Sequence, residues 1–130
     1  MSGFTQIFSI AASGMNAQSQ RLQHVSENIA NNDTPGYRKK AVSFEQVLEF
    51  GQSTGQVQAG RVSLSDAELT RIFDPGHPMA DTGGYYNGSN VDLVIEIADA
   101  REAQRSYEAN LKVFEQARKM SSSLSELLRR

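Results

Sequence analysis

Apolar side chains recur along the N-terminal stretch at alternating steps of four and three: Phe4, Phe8, Ala11, Met15, Gln18, Leu22, Val25 and Ile29. Only Gln18 in that series is polar. The period is that of a narrow coiled-coil seam rather than the wider stripe of a globular surface helix. A helix from Phe4 to Ala30 would span roughly 40 Å. Gly14 costs such a helix about 1 kcal/mol against Ala, and close approach of another backbone is the reason expected for it. The C-terminal third repeats the theme through Leu93, Ile97, Ala100, Ala103, Tyr107, Leu111, Phe114, Ala117, Ser121, Leu124 and Leu128. No Gly or Pro follows Asp92, so one helix of roughly 60 Å is predicted from about Val91 to Arg129. Ser89 or Asn90 is its expected N-cap, and Arg129 and Arg130 carry the sign that suits its C-terminal end.

Between the helices the pattern changes. The stretch 31–90 holds every proline, and every glycine except Gly3 and Gly14. Strands are predicted at Lys40–Phe44, Gln56–Ser63 and Leu69–Phe73, with Glu45–Phe50 readable as a helical turn or a strand end. Turn signals are dense at Pro35-Gly36, Pro75-Gly76, Gly83-Gly84 and Asn87-Gly88. The fold class expected is mainly α: two long terminal helices (1–31 and 91–130) pairing as a coiled coil, with a small β- or loop-rich insert (32–90).

Composition sharpens this. Leu, Ile, Val and Phe make up 29 of 130 residues, scarcely above the level of roughly 20% below which chains tend towards disorder. The net charge of −2 brings little self-repulsion. Such a chain has scant material for a core of its own, and a two-helix hairpin covers only part of each seam. Contiguous exposed apolar surface marks an interaction site, and a head-to-tail contact that does not close yields an open helical assembly. The chain has no cysteine, which excludes disulfides and thiolate zinc sites. The N-terminal stretch lacks a basic region and a continuous apolar core, so a cleaved secretory signal is not expected. No run is long enough for a direct membrane span.

Candidate chemistry is thin. Asn31, Asp33 and Gly36 match the start of a calcium loop, but Pro35 and Val42 fall where oxygen ligands are required. A hard helix stop explains the segment better: Pro35 bars the α conformation at Thr34, and Gly36 permits a positive φ. Asp74, His77 and Asp81 could in principle hold a metal, but their spacing fits a stiff turn whose side chains bond its own backbone. The glycines at 83 and 84 lack the Lys-Ser or Lys-Thr of a phosphate loop. Arg38, Lys39 and Lys40 form a short basic run, expected as a solvated face or a contact to an acidic partner, with no case for nucleic acid. There is no nucleophile elbow. No enzyme, cofactor or metal is expected.

The segments ASGMNAQSQRL and NIANNDTPGYRKKAVSFEQVL resemble the N-terminal signature of the flagellar axial family of rod, hook and hook-associated proteins. Asp74–Asp81, Gly83–Tyr86, Asn90-Val91 and Arg105–Asn110 are similar to the C-type rod proteins of the proximal rod. Two departures are Ser89 where a Pro is usual and Ile95-Glu96-Ile97 where Glu-Met-Val is usual. The resemblance implies a structural subunit of the periplasm-spanning basal-body rod. Such subunits are made in the cytoplasm and pass through the flagellar type III export apparatus without a cleaved signal. Implied partners are further copies, other rod proteins and the membrane-ring and export-gate junction proteins. The terminal helices would pair in an inner domain, with the insert further out. The expected assembly seam is Phe4, Phe8, Met15, Leu22, Val25 and Ile29 with Leu93, Ile97, Tyr107, Leu111, Phe114 and Leu128. Asn28, Asn31, Thr34, Pro35, Gly36 and Tyr37 would form the corner leaving the inner helix, and Asp74, Pro75, His77, Pro78 and Asp81 an outer loop. The competing readings are a B-type or other short axial subunit and a soluble coiled-coil adaptor.

Overall fold

The computed structural model describes residues 3–130; Met1 and Ser2 of the expected segment 1–31 lie outside the described residues. Helix α1 spans Gly3–Ala30 and helix α2 spans Leu93–Leu128, with strands β1 (Lys40–Glu49), β2 (Gln52–Leu64), β3 (Arg71–Phe73) and β4 (Tyr85–Asn87) between them. The helices pack antiparallel. Phe8 meets Phe114 at 5.0 Å between ring centroids, Arg21 reaches Asp99 and Glu102 at 3.5 and 3.4 Å, and Asn28 bonds Glu96.

The face by which the helices meet is made of small residues. Ala11, Gly14, Ala17, Val25 and Asn28 are the buried positions of α1, and Glu96, Ala103 and Ala117 those of α2. Small side chains let two helices approach closely, which leaves the larger apolar residues beside the contact rather than in it. Phe4, Phe8, Met15, Leu22, Ile29 and Phe114 are half-buried, while Leu93, Ile97, Tyr107, Leu111 and Leu128 are exposed. Gly14 faces the Asn110 side chain, not a backbone. A Cβ there would lie 2.7 Å from Asn110 Oδ1. Gln18 sits at the seam with its carbonyl oxygen buried and unbonded.

Helix α2 outruns α1. Phe4 shares a groove with Ala117 and Met120, so Leu124, Leu127 and Leu128 extend past the described start of α1 and stand exposed. The N-cap of α2 is Asp92, whose side chain accepts from the Val94 N–H. Asn90 and Ser89 are taken up by the corner described below. The C-cap is Arg129, just beyond the last helical residue.

β1 and β2 form one long antiparallel hairpin with irregularities between Val42 and Phe44 and between Gln46 and Leu48. Glu45–Glu49 is strand, the second of the two options the sequence left open. The hairpin lies along α1: the Val57 N–H donates to Ser13 Oγ at 3.1 Å, and the Ile10 side chain rests against Gly55. Phe50 and Gly51 close it as a two-residue turn with φ of 52° and 78°. Both positive values define a type I′ turn, whose first position favours Asn, Asp or Gly. A bulky side chain there costs about 1–2 kcal/mol. β3 and β4 form a second, two-stranded sheet. β4 falls between the turn signals at Gly83-Gly84 and Asn87-Gly88, where the pattern predicts no strand.

Candidate assembly joint and its apolar flanks

The corner is built around one buried amide. Asn28, 1% exposed, ends the buried line of α1 and uses every hydrogen-bonding position it has. Its Nδ2 donates to the Lys40 carbonyl at 2.9 Å and to Glu96 Oε2 at 3.2 Å. Its Oδ1 accepts from the Tyr37 hydroxyl at 2.8 Å and the Lys40 N–H at 2.9 Å. One side chain thereby ties α1 to the first residue of β1, to Tyr37 of the corner and to the first turn of α2.

Glu96 is fully buried and its other oxygen lies 2.8 Å from Lys39 Nζ, a charge contact rather than an aligned hydrogen bond. A buried carboxylate requires such a partner. The remaining basic residues are engaged within the chain too. Arg38 donates to the Ser65 and Ala67 carbonyls at 3.0 and 3.2 Å, and Lys40 pairs with Glu27. The basic run is therefore engaged in intrachain contacts rather than left as a free solvated face. The Lys40 hydrogen bond holds the Glu27 carboxyl below its ordinary value, and Glu27 in turn holds the Lys40 ammonium above its own. Burial pushes the Tyr37 phenol upward.

The turn itself follows from its residues. Asn31 Nδ2 donates to the Glu27 carbonyl at 2.8 Å, and its Oδ1 accepts from the Thr34 hydroxyl at 3.0 Å, closing the helix end. Beyond the end of α1 at Ala30, Pro35 and Gly36 form the middle of a turn in which the Tyr37 N–H donates to the Thr34 carbonyl, and Gly36 takes a φ of 74°. The Gly36 N–H then donates to the Asn87 and Gly88 carbonyls. Asn90 Oδ1 accepts from the Lys39 N–H at 2.6 Å, while its amide donates to the Ser65 and Ala67 carbonyls. Ser89 Oγ donates to the Asn32 carbonyl. All six expected corner residues come together, and Lys39, Lys40, Ser89, Asn90 and Glu96 join them. The sequence marks Ser89 and Asn90 as N-cap candidates and Lys39 and Lys40 as a basic run, but ties none of the five to the corner.

The outer loop closes on itself. Asp74 Oδ1 accepts from the Gly76 N–H, and His77 Nδ1 from the Met79 N–H. Asp81 Oδ1 accepts from the Gly83 and Tyr85 N–H groups. The Tyr85 amide and Arg71, 3.0 Å away, hold the Asp81 carboxyl below its ordinary value. His77 stacks on Tyr86 at 3.9 Å. Pro75 and Pro78 stiffen an exposed turn. Among the described residues no group of three His, Asp or Glu side chains converges as a metal site, and no helix is long and apolar enough to cross a membrane.

Two of the surface concavities flank the helix pair. A cleft of about 270 Å³ beside the corner is lined by Arg21, His24, Lys39, Lys40, Glu96 and neighbours, whose charges are mutually paired. A groove of about 430 Å³ between Phe4 and Ile7 of α1 and Val113, Ala117 and Met120 of α2 is mainly apolar, with Lys112 and Gln116 also lining it. Neither brings a nucleophile and base together. The arrangement holds an angle at one end and presents apolar surface along its flanks.

Comparison with known proteins fits this division. Residues 8–38, α1 with the corner, match the family model "Flagella basal body rod protein". Residues 82–127, β4 and α2, match "Flagellar basal body rod FlgEFG protein C-terminal". The chain is 43% identical over 127 residues to the flagellar basal-body rod protein FlgC of Agrobacterium fabrum, covering 92% of this chain and 91% of that protein. It is 39% identical over 120 residues to FlgC of Salmonella typhimurium, covering 88% and 90%. It is 40% identical over 113 residues to FlgC of Yersinia enterocolitica, covering 82% and 84%. With both helices, the corner and the insert aligned at this level, the chain belongs to the FlgC family of flagellar basal-body rod proteins.

Proposed function

We propose that this chain is a non-enzymatic structural subunit of the flagellar proximal rod, made in the cytoplasm, exported without a cleaved signal and assembled with further copies and neighbouring basal-body proteins. The single observation that carries the reading is the separation of small from large residues on the helix pair. The buried intrachain contact is built from Ala, Gly, Val, Asn and Glu, with the Phe8–Phe114 ring pair half-buried beside it, while Leu93, Ile97, Tyr107, Leu111, Leu124 and Leu128 remain exposed in the monomer. Contiguous apolar surface of this kind is covered by partners. Pairing of α1 and α2 as an inner coiled-coil unit, with the insert as its outer part, follows from the same reading. The corner sets the angle between the two parts, and the outer loop from Asp74 to Asp81 meets neighbours.

The test is Leu111→Asp, in cells lacking their own C-type rod subunit. Leu111 is partly exposed, so the monomer is expected to keep its helical circular dichroism. The variant is expected to be absent from purified basal bodies and to leave the cells non-motile. Normal swimming with Leu111→Asp would overturn the reading.

A further inference from the structure

The tip of the β1–β2 hairpin presents an anomaly. Phe50 is 98% exposed and occupies a left-handed backbone position where Asn or Gly would relieve strain. A residue that is costly to its own turn and unpacked in its own chain points to a use outside it. The groove bounded by Phe4, Ile7, Val113, Ala117 and Met120 lies at the same end of the molecule: the hairpin tip is beside Gln6 and Ser9 of α1, while the groove opens between α1 and α2. Its volume of about 430 Å³ admits a phenyl ring with room for the turn that carries it. Charge agrees as well. Glu49 precedes Phe50, Lys112 lines the groove, and neither has an ion pair among the described residues.

We infer that Phe50 of one copy inserts into the Phe4–Met120 groove of a second copy of this chain, with Glu49 meeting Lys112. Knob and groove occupy different faces of one molecule, so the contact is head-to-tail, and it propagates from copy to copy wherever its rotation does not close a ring. Aromatic anchors in apolar pockets dominate interface energetics. The inference rests on the proposed rod function and names one of its contacts.

The absence of cysteine makes the test clean. Phe50→Cys and Met120→Cys chains are co-expressed in cells lacking their own C-type subunit, and basal bodies are purified and oxidised. A disulfide-linked dimer of the two chains is expected, with none when either variant is expressed alone. Phe50→Asn supplies a second readout with opposite signs. It creates the favoured Asn-Gly turn, so the monomer's Tm is expected to rise by a few degrees while incorporation falls at least tenfold. Basal bodies that contain both cysteine variants without the mixed dimer would overturn the inference, as would cross-links to a different rod protein or wild-type incorporation of Phe50→Asn. Absence of the unsubstituted chain from basal bodies would overturn the rod function itself, and the inference with it.

Discussion

At the corner end of the helix pair, Asn28 uses all of its hydrogen-bonding capacity inside the chain and Glu96 is buried against Lys39. At the opposite end, α2 runs past the described start of α1, and Met120, Leu124, Leu127 and Leu128 face solvent. The two ends share two helices and differ in what holds them. Directional bonds fix an angle, because a buried amide or carboxylate is stable only in the geometry that satisfies it. Apolar area fixes no angle and accepts any complementary surface. A subunit that must present a defined joint and still recruit neighbours benefits from keeping the two kinds of interaction apart.

The comparison breaks most sharply at Lys39. Lys39→Met leaves the Glu96 carboxylate buried without its counter-charge, and a loss of about 3–5 kcal/mol is expected in urea unfolding. Asn28→Ala orphans the Lys40 N–H and removes a donor from Glu96, for an expected loss of about 2–3 kcal/mol. Gly14→Ala tests the small-residue face between the ends. Its Cβ would displace the Asn110 amide, and overpacking outweighs the helix propensity gained, for a net loss of about 1 kcal/mol. Adding Asn110→Ala is expected to recover that loss, measured as a double-mutant cycle. Leu124→Asp at the open end is expected to change monomer stability by less than about 0.5 kcal/mol, while incorporation into basal bodies is lost.

The pH response is the smallest effect, since solvent screens Glu27, Lys40 and Asp81 and Tyr37 is only partly buried. Tyr37 and Lys40 have values raised on folding, so their contribution is full below the ordinary 10.0 and 10.5 and is lost as pH rises through the folded values. Glu27 and Asp81 have values lowered on folding, so theirs is full above the ordinary 4.5 and 3.8 and is lost as pH falls through the folded values. Thermal unfolding followed from acid to alkaline pH is expected to show a plateau with a decline at each edge. The Glu27→Gln variant, which removes the carboxylate charge that raises Lys40 and also removes an acid-titrating group, is expected to flatten both edges.

Much of this was legible in the sequence, and the misses have physical reasons. The 3.5-residue period placed both helices because amphipathic periodicity survives even where the stripe faces a missing partner. The same period could not separate the intrachain contact from the flanks. That distinction rests on side-chain size, with Ala11, Gly14, Ala17, Ala103 and Ala117 inside the contact and Tyr107 and Leu111 beside it. The corner was marked by Pro35 and Gly36, and Asn28 was among its expected residues, but the role of Asn28 as hub was not legible, since it gathers Tyr37, Lys40 and Glu96 across up to 68 positions of chain. The basic run was misjudged for the same reason. Each of its charges meets a group brought near only by the fold. The hairpin was under-read because most of β1 and the end of β2 are exposed, which erases the alternation that identifies a strand. The N-cap shifted to Asp92 because Ser89 and Asn90 bond the corner instead.

The contrast between a locked and an open end is tested most directly by amide hydrogen exchange, read segment by segment in the dilute monomer and again in purified basal bodies. In the monomer, slow exchange is expected around Val25–Ala30 and Glu96–Ala103, with fast exchange over Met120–Leu128. In the assembled rod, protection of Met120–Leu128 is expected to rise to the level of the corner. Uniform protection along both helices of the monomer, or an open end that stays unprotected in the rod, would contradict the account.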